Sequence, residues 1–183
     1  CKKYDLPINK KFLLFTGRFV ERKNPLLLLE AFSEANLEDD WFLIMVGNGK
    51  FEKKLKENAL KYKIKNLKFF NFQNQENLIG FLNNAEILIL PSIAGETHGN
   101  IATEAMQFSC ALILSNMVGL HPECLREQTG LVFEDNNKKD LINKITMITK
   151  NENLLKTLQS NAKNYSRFKT PKYTAELIAN LNK

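Results

Sequence analysis

Three cations stand close together in a short loop that follows the first apolar run of the chain. Arg18, Arg22 and Lys23 lie there, with Gly17 in front of them. Guanidinium and ammonium groups neutralise phosphate, and a glycine lets a ligand approach the backbone closely. The loop therefore suits a phosphate or a diphosphate. An exposed loop with solvated charges explains the same residues equally well, so this motif alone decides nothing.

Two carboxylates, Glu96 and Glu104, lie in the glycine-rich segment 91–106 with seven residues between them. So placed, they can accept hydrogen bonds from neighbouring hydroxyls of a sugar, while loop amides and a helix N-terminus face an anion. Glu104 falls in an otherwise apolar stretch, where burial without a partner would be costly. The alternative is one glutamate that stabilises the helix dipole and one that is solvated.

A third loop, Gly47-Asn48-Gly49, could bring a nucleotide close to the backbone, although a plain turn explains it as well. It lacks the third glycine of the dinucleotide fingerprint. No acidic residue follows in the expected place on a next strand to hold a ribose, so a nicotinamide-dependent enzyme is disfavoured.

The elements that position these loops follow from the apolar pattern. Apolar runs of strand length alternate with amphipathic segments, which predicts βα units and a parallel sheet covered on both faces. In such a sheet ligands bind beyond the carboxyl ends of the strands, where the three loops fall. The predicted strands are Phe12–Thr16, Trp41–Val46, Leu67–Phe72, Ile87–Leu90, Leu112–Ser115 and Leu131–Phe133.

Helices are predicted between the strands and in a helical C-terminal tail. Asn24-Pro25 is typical of an N-cap followed by proline at the first helical position, and Thr170-Pro171 repeats that signal. No repeat or flexible linker interrupts the chain, which favours one domain. The predicted helices are Pro25–Ala35, Phe51–Tyr62, Glu76–Asn83, Ile101–Phe108, a short one near Pro122, Lys138–Thr149, Glu152–Tyr165 and Lys172–Leu181.

Composition bounds the class of protein. A length of 183 residues with 44% hydrophobic residues fits one soluble globular domain. The net charge of +6 comes from segment 50–68, which holds eight Lys and two Glu. That segment has no Arg, and apart from Phe51 at its start its one aromatic residue is Tyr62. We therefore do not expect nucleic acid binding. Contact with an anionic membrane stays open.

The three cysteines, Cys1, Cys110 and Cys124, are odd in number and far apart, which supports neither a disulfide framework nor a zinc site. Cys110 lies in an apolar run and is predicted to be a core residue. There is neither a signal peptide nor a run of about 18 apolar residues. We therefore expect a cytoplasmic protein, peripheral to a membrane at most. A first residue other than Met favours a fragment of a longer chain.

Taken together, the motifs resemble those of the family-four retaining glycosyltransferases, which have the GT-B fold. Glu96 and Glu104 match that family's E-x7-E motif, and the match runs over roughly residues 12–150. Several ordered motifs are more specific than any one of them. The other matching blocks are Gly17 and Arg18 with Lys23, Gly47-Asn48-Gly49, Pro91-Ser92, Glu104-Ala105-Met106, Gly119 with Pro122-Glu123, and Thr129-Gly130-Leu131-Val132.

The resemblance implies a Rossmann-like three-layer αβα domain with about six parallel strands, the C-terminal, donor-binding half of a GT-B enzyme. The acceptor-binding half would be missing from this chain. The implied reaction transfers a hexose, with retention, from a UDP-sugar or GDP-sugar to a glycan or lipid-linked acceptor, as in bacterial cell-envelope polysaccharide synthesis. No Asp-x-Asp is present to hold a divalent metal, and neither metal nor cofactor is expected.

The resemblance also implies roles for individual residues. Arg18 and Lys23 would hold the diphosphate and neutralise the leaving group as the glycosidic bond breaks. Glu104 would bind the ribose hydroxyls, and Glu96 would contact the transferred sugar. Further donor contacts are implied for Gly17, Gly47, Asn48, Gly49, Phe72, His98, Gly99, Asn100 and Ile101.

Two departures from the family pattern and several alternatives remain. The turn at 107–111 lacks the usual glycine and proline, and His98 stands where an aromatic residue is common, so it either orients the loop or transfers a proton. A non-catalytic module that binds nucleotide sugars or an anionic membrane is one alternative. An epimerase of the GT-B type is another, and a phosphorylase is a third.

Overall fold

Short apolar segments form one parallel sheet in the computed structural model, which describes residues 4, 6–37, 39–94, 96–97 and 99–169. The strands are almost wholly apolar because helices cover both faces of the sheet. They are β1 (Lys11–Thr16), β2 (Trp41–Val46), β3 (Leu67–Phe70), β4 (Ile87–Leu90), β5 (Ala111–Ser115) and β6 (Gly130–Phe133). The strand order is β3-β2-β1-β4-β5-β6, and every pairing is parallel.

The helices follow the predicted alternation within a residue or two at each end, and Lys138–Thr149 was predicted with both ends correct. They are α1 (Pro25–Glu34), α2 (Glu52–Lys61), α3 (Gln75–Leu82), α4 (Asn100–Gln107), α5 (His121–Arg126), α6 (Lys138–Thr149) and α7 (Glu152–Ser166). Single 3₁₀ turns occupy Glu21–Lys23 and Arg167–Lys169. The predicted helix Lys172–Leu181 lies outside the described residues.

Two apolar clusters, one on each face of the sheet, make the domain a three-layer α/β fold, as predicted. One cluster joins the sheet to α1, α2 and α6, and the other joins it to α3, α4 and α5. Helix α7 belongs to both, since Leu155 and Leu158 lie in the first cluster and Ala162 lies in the second. Cys110 is fully buried and donates to the carbonyl oxygens of Leu82 and Ala85, which confirms it as a core residue.

The third strand is shorter than predicted. It ends at Phe70, which lies opposite Val46 at the end of β2. β3 is the edge strand, so no neighbour pairs with the chain once β2 has ended. Phe72 is consequently 69% exposed in the loop that follows.

Asn24 occupies the N-cap position of α1 and is followed by Pro25 in the first turn, as predicted. It has a left-handed φ of 47°, and its side chain makes no capping hydrogen bond to α1. Asn24 joins the 3₁₀ turn Glu21–Lys23 directly to Pro25, so its backbone bends the chain there. No helix within the described residues is long and apolar enough to cross a membrane.

Candidate functional site

The sheet order reverses between β1 and β4, the strands that precede the two charged loops. From β1 the chain continues to β2 on one side, and from β4 it continues to β5 on the other. The loops after β1 and β4 therefore diverge and leave a crevice at the carboxyl edge, the usual ligand position in open parallel sheets. The Ile93 N–H donates to the Arg22 carbonyl at 2.9 Å and ties the two loops together.

Two adjoining clefts open at this edge and share Thr16, Gly17, Arg18 and Leu78. The larger cleft has a volume of about 390 Å³, and the smaller cleft has a volume of about 140 Å³. Besides the shared residues, Lys23, Glu96, Thr97, Gly99, Asn100 and Ile101 line the larger cleft, and Val46, Gly47, Asn48, Phe72 and Gln73 line the smaller cleft.

Lys23 and Glu96 meet in the larger cleft, where the Lys23 Nζ contacts the Glu96 Oε2. Their side chains are only 15% and 13% exposed, so solvent screens this ion pair far less than the pairs on the surface. Burial and, to a lesser extent, the charge of Arg22 lower the pKa of Lys23 to about 8. A buried cation with a lowered pKa is one that gains from additional negative charge nearby.

Arg18, in the same loop as Lys23, lines both clefts. Its side chain is exposed, and no described carboxylate forms an ion pair with it. One half-buried and one exposed cation thus border the same cleft. That arrangement suits an anion with more than one charge, since each cation can take a different oxygen atom.

The glycines of the Gly47-Asn48-Gly49 loop are required by contact between loops. Gly47 has a φ of 152°, and a Cβ there would overlap the carbonyl oxygen of Gly17. At Gly49, with a φ of 149°, a Cβ would lie 2.6 Å from the Phe19 carbonyl oxygen. The Phe19 N–H donates to the Asn48 carbonyl at 2.7 Å, so the two loops also bond to each other. Gly49 lines neither cleft; it shapes the wall.

Helix α4 points its N-terminus at the larger cleft. Gly99 precedes the helix with a left-handed φ of 73°, and a Cβ there would lie 2.9 Å from the Val118 side chain. Asn100 and Ile101 line the cleft. Glu104 lies one turn further along and is half-buried, but it is not among the lining residues. His98 lies outside the described residues.

The structure thus brings most of the predicted site residues together at one edge, and it adds several that the sequence motifs did not indicate. Leu78, on α3, lines both clefts, and Thr16 ends β1 beside Gly17. Leu78 belongs to an amphipathic helix and had no signal of its own. Thr16 could have been found, since the last residue of a strand lies at the ligand edge of such a sheet.

The lysine-rich segment 50–68 does not contribute to either cleft. Lys56 and Lys68 instead line a shallow depression with Leu60, beside the edge strand β3. Lys63 and Lys65 line another of about 280 Å³ at the amino edge of the sheet. The segment that carries the net charge is therefore distinct from the loops that carry the site.

Comparison with known proteins gives the family. A model described as "Glycosyl transferases group 1" matches residues 2–165. The chain is 30% identical over 156 residues to the uncharacterized glycosyltransferase MJ1178 of Methanocaldococcus jannaschii, covering 85% of this chain and 43% of that protein. It is 26% identical over 159 residues to a Campylobacter jejuni α-1,4-N-acetyl-D-galactosaminyltransferase named for a diphospho-undecaprenol-linked substrate, covering 84% and 43%.

The fold is also found among solved structures. The crystal structure of Anabaena HepE in complex with UDP and glucose matches with a TM-score of 0.80 at 19% identity, covering 95% of this chain and 48% of that one. At that identity the likeness shows the fold alone. The chain spans less than half the length of each of these proteins.

Proposed function

Because the chain belongs to the glycosyl transferases group 1 family, we propose that it is the donor-binding domain of a family-four, retaining glycosyltransferase. The donor is a nucleoside diphosphate hexose, and the acceptor is a glycan or a lipid-linked sugar. The observation that carries the proposal is the meeting of Arg18 and Lys23 with Glu96 in one cleft at the sheet's switch point.

Each part of the donor has a place in the two clefts. The diphosphate lies against Arg18, Lys23 and the N-terminus of α4, where cations and free amides face it. The base lies in the smaller cleft beside Phe72, whose exposed ring can stack on it. The hexose lies against Glu96. The shared wall at Thr16 and Gly17 fits this division, because one extended ligand can run through both clefts.

The two cations act most strongly as the glycosidic bond breaks. Charge then builds up on the leaving diphosphate, so contacts with Arg18 and Lys23 stabilise the transition state more than the bound donor. Among the described residues, Glu96 is the carboxylate that balances the Lys23 ammonium. When donor is bound, phosphate oxygens add negative charge beside Lys23, and the Glu96 carboxylate contacts the hexose hydroxyls.

Glu104 keeps its proposed role as the ribose ligand, although it lies one helical turn away from the lining residues Asn100 and Ile101. A nucleoside whose base lies in the smaller cleft extends toward α4 through its ribose. The proposal therefore separates the two glutamates: Glu104 acts on nucleotide affinity, and Glu96 acts on the sugar.

The acceptor and the rest of the enzyme are also part of the proposal. The lipid-linked substrate in the name of the Campylobacter relative supports an acceptor of that class, handled at the cytoplasmic face of a membrane. Coverage of 43% of each relative supports a separate acceptor-binding domain in a longer protein. We propose that the chain alone binds donor without metal or cofactor and transfers almost nothing.

Isothermal titration calorimetry with UDP, GDP and ADP, and with UDP-glucose, UDP-N-acetylglucosamine and GDP-mannose, tests the proposal. We expect binding of one nucleoside diphosphate family below millimolar concentration. Glu104→Ala weakens the binding of every ligand of that family, whereas Glu96→Ala weakens chiefly the binding of the sugar-bearing ligands. Glu57→Ala, an exposed carboxylate on α2, serves as the matched control and changes neither. Absence of binding to every nucleotide at millimolar concentration would overturn the proposal.

A further inference from the structure

We propose that two fully buried serines, Ser92 and Ser115, are positioning residues that orient Glu96 and reserve one of its carboxylate oxygens for the transferred hexose. The inference rests on the proposed function. It adds a division of labour between the two oxygens of Glu96 and names the residues that enforce it.

Ser92 acts on the side chain of Glu96. It is 0% exposed, and its hydroxyl donates to the Glu96 Oε2 at 3.3 Å. The same oxygen contacts the Lys23 Nζ. Within the described part of the chain, no donor contacts Oε1. Two protein groups thus hold one oxygen of the carboxylate, and we assign the other to a hydroxyl of the hexose in the larger cleft, which Glu96 lines.

Ser115 holds the loop from the neighbouring strand. It is the last residue of β5 and is also 0% exposed. Its hydroxyl donates to the Ser92 carbonyl oxygen and accepts from the Met117 N–H at 3.3 Å. A buried hydroxyl is costly unless it is hydrogen-bonded, and this one uses both of its capacities to tie the end of β5 to the loop after β4.

The backbone of Glu96 is held from the same side. The Gly119 N–H donates to the Glu96 carbonyl at 2.9 Å, and Glu96 forms a parallel bridge with Val118. The 115–119 turn after β5 thus runs beside Glu96 and leaves its backbone little freedom. Because the carboxylate is already oriented before the donor binds, sugar binding does not have to supply the free energy of ordering it.

A purely structural role for Ser92 makes a different prediction. If Ser92 only stiffens the loop, its loss should weaken all ligands of the cleft and should do so whether or not Glu96 is present. If Ser92 acts through the Glu96 carboxylate, its loss should weaken only the sugar contact and should have no effect once that carboxylate has been removed.

The test measures the ratio of the Kd of a nucleotide sugar to the Kd of its nucleoside diphosphate, using the pair from the six named nucleotides that binds the wild-type chain best. Ser92→Ala is expected to raise this ratio about tenfold, the effect of one hydrogen bond to a charged group, with the diphosphate Kd unchanged. In a Glu96→Ala background, which removes the acceptor of the Ser92 hydroxyl, Ser92→Ala should leave the ratio unchanged. Ser92→Thr, which keeps the hydroxyl, should restore most of the wild-type ratio.

Ser166→Ala is the matched control. Ser166 is also a buried serine, but its hydroxyl donates to the Lys163 carbonyl at 2.8 Å, away from the cleft. It should leave the ratio unchanged. If Ser92→Ala fails to fold, Ser115→Ala gives the same test with a smaller expected rise. An unchanged ratio, an equal loss for both ligands or an additive double variant would overturn the inference alone, whereas a wild-type chain that binds no nucleotide would overturn the proposed function with it.

Discussion

The two edges of the sheet each hold a shielded glutamate, and the two are used differently. Glu86 stands just before β4 at the amino edge, and its Oε2 accepts from the Phe12 N–H. Its peptide group bonds to the backbones of Phe12 and Ala111, so it fastens the starts of three adjacent strands. Burial raises the pKa of Glu86, although the Phe12 hydrogen bond opposes this effect.

Glu96, at the carboxyl edge, has a cation as its partner and lines a cleft. A shielded carboxylate that is bonded to the backbone of its own sheet is a structural residue. A shielded carboxylate that is paired with a side-chain cation and lines a cleft is a candidate ligand contact. Burial alone does not separate the two cases; the identity of the partner does.

The turns at the two edges differ in the same sense. Four helix-to-strand turns at the amino edge have ordinary residues with left-handed φ angles: Asn36 at 45°, Lys63 at 54°, Ser109 at 63° and Gln128 at 49°. At the carboxyl edge, Gly47, Gly49 and Gly99 hold such positions and also touch neighbouring atoms. The four amino-edge turns accommodate a side chain in the left-handed conformation. At Gly47 and Gly49 neighbouring backbone leaves no room for a side chain, and at Gly99 the Val118 side chain leaves none.

Gly47→Ala should have the largest effect on this comparison. The new Cβ would overlap the Gly17 carbonyl, and we expect the free energy of unfolding to fall by about 3 kcal/mol or more. Urea unfolding followed by circular dichroism measures it. A loss below about 1 kcal/mol would mean that the loops part easily and that the glycine is not required by their contact.

Lys23→Ala should weaken nucleoside diphosphate binding about 100-fold, because a shielded, charge-assisted contact to phosphate is lost. Calorimetry on the variant gives the value directly. Lys50→Ala is the matched control, since Lys50 is an exposed lysine of the basic segment that pairs with Glu21 on the surface. Equal losses in the two variants would assign the binding to general positive charge and not to the cleft.

The pH dependence of binding should report on Lys23. With a pKa of about 8, Lys23 is largely charged at pH 7 and about one-tenth charged at pH 9, so diphosphate affinity should fall about tenfold over that range. Lys23→Arg stays charged and should remove this dependence. The same slope in both proteins would assign the titration to another group.

Ser109→Gly, at the amino edge, should have the smallest effect and the opposite sign. Glycine relieves the left-handed strain at a φ of 63°, so we expect about 1 kcal/mol of added stability and no change in nucleotide affinity. Thermal unfolding and calorimetry check the two parts. A destabilised variant would show that the serine side chain contributes to this turn.

The fold was predictable because strand length, apolar runs and helix periodicity are local signals. The one wrong strand boundary has a local cause, since β3 stops where its neighbour stops. Asn24 takes the predicted N-cap position in a left-handed conformation and makes no side-chain capping bond. The turn at 107–111 forms without the family's glycine because Ser109 adopts the left-handed conformation.

The site was predictable only as a set of loops. Three helices and three strands separate Lys23 from Glu96 in the chain, and no local pattern reveals that the two side chains touch. Ser92 served in the sequence only as the mark of a strand end, because its hydrogen bond to Glu96 depends on burial. The two glycines of 47–49 suggested nucleotide contact, whereas packing against the Gly17–Phe19 backbone accounts for them.

The central claim is that the diphosphate of a nucleotide sugar binds at the carboxyl edge, between the loops after β1 and β4. Titration of the ¹⁵N-labelled chain with UDP and with GDP, followed by amide chemical shifts, tests it directly. The account predicts saturable shifts centred on residues 16–23, 46–48 and 99–104, with residues 50–68 unmoved. Shifts centred on the lysine-rich segment or on the amino edge, or no shifts with either nucleotide, would contradict it.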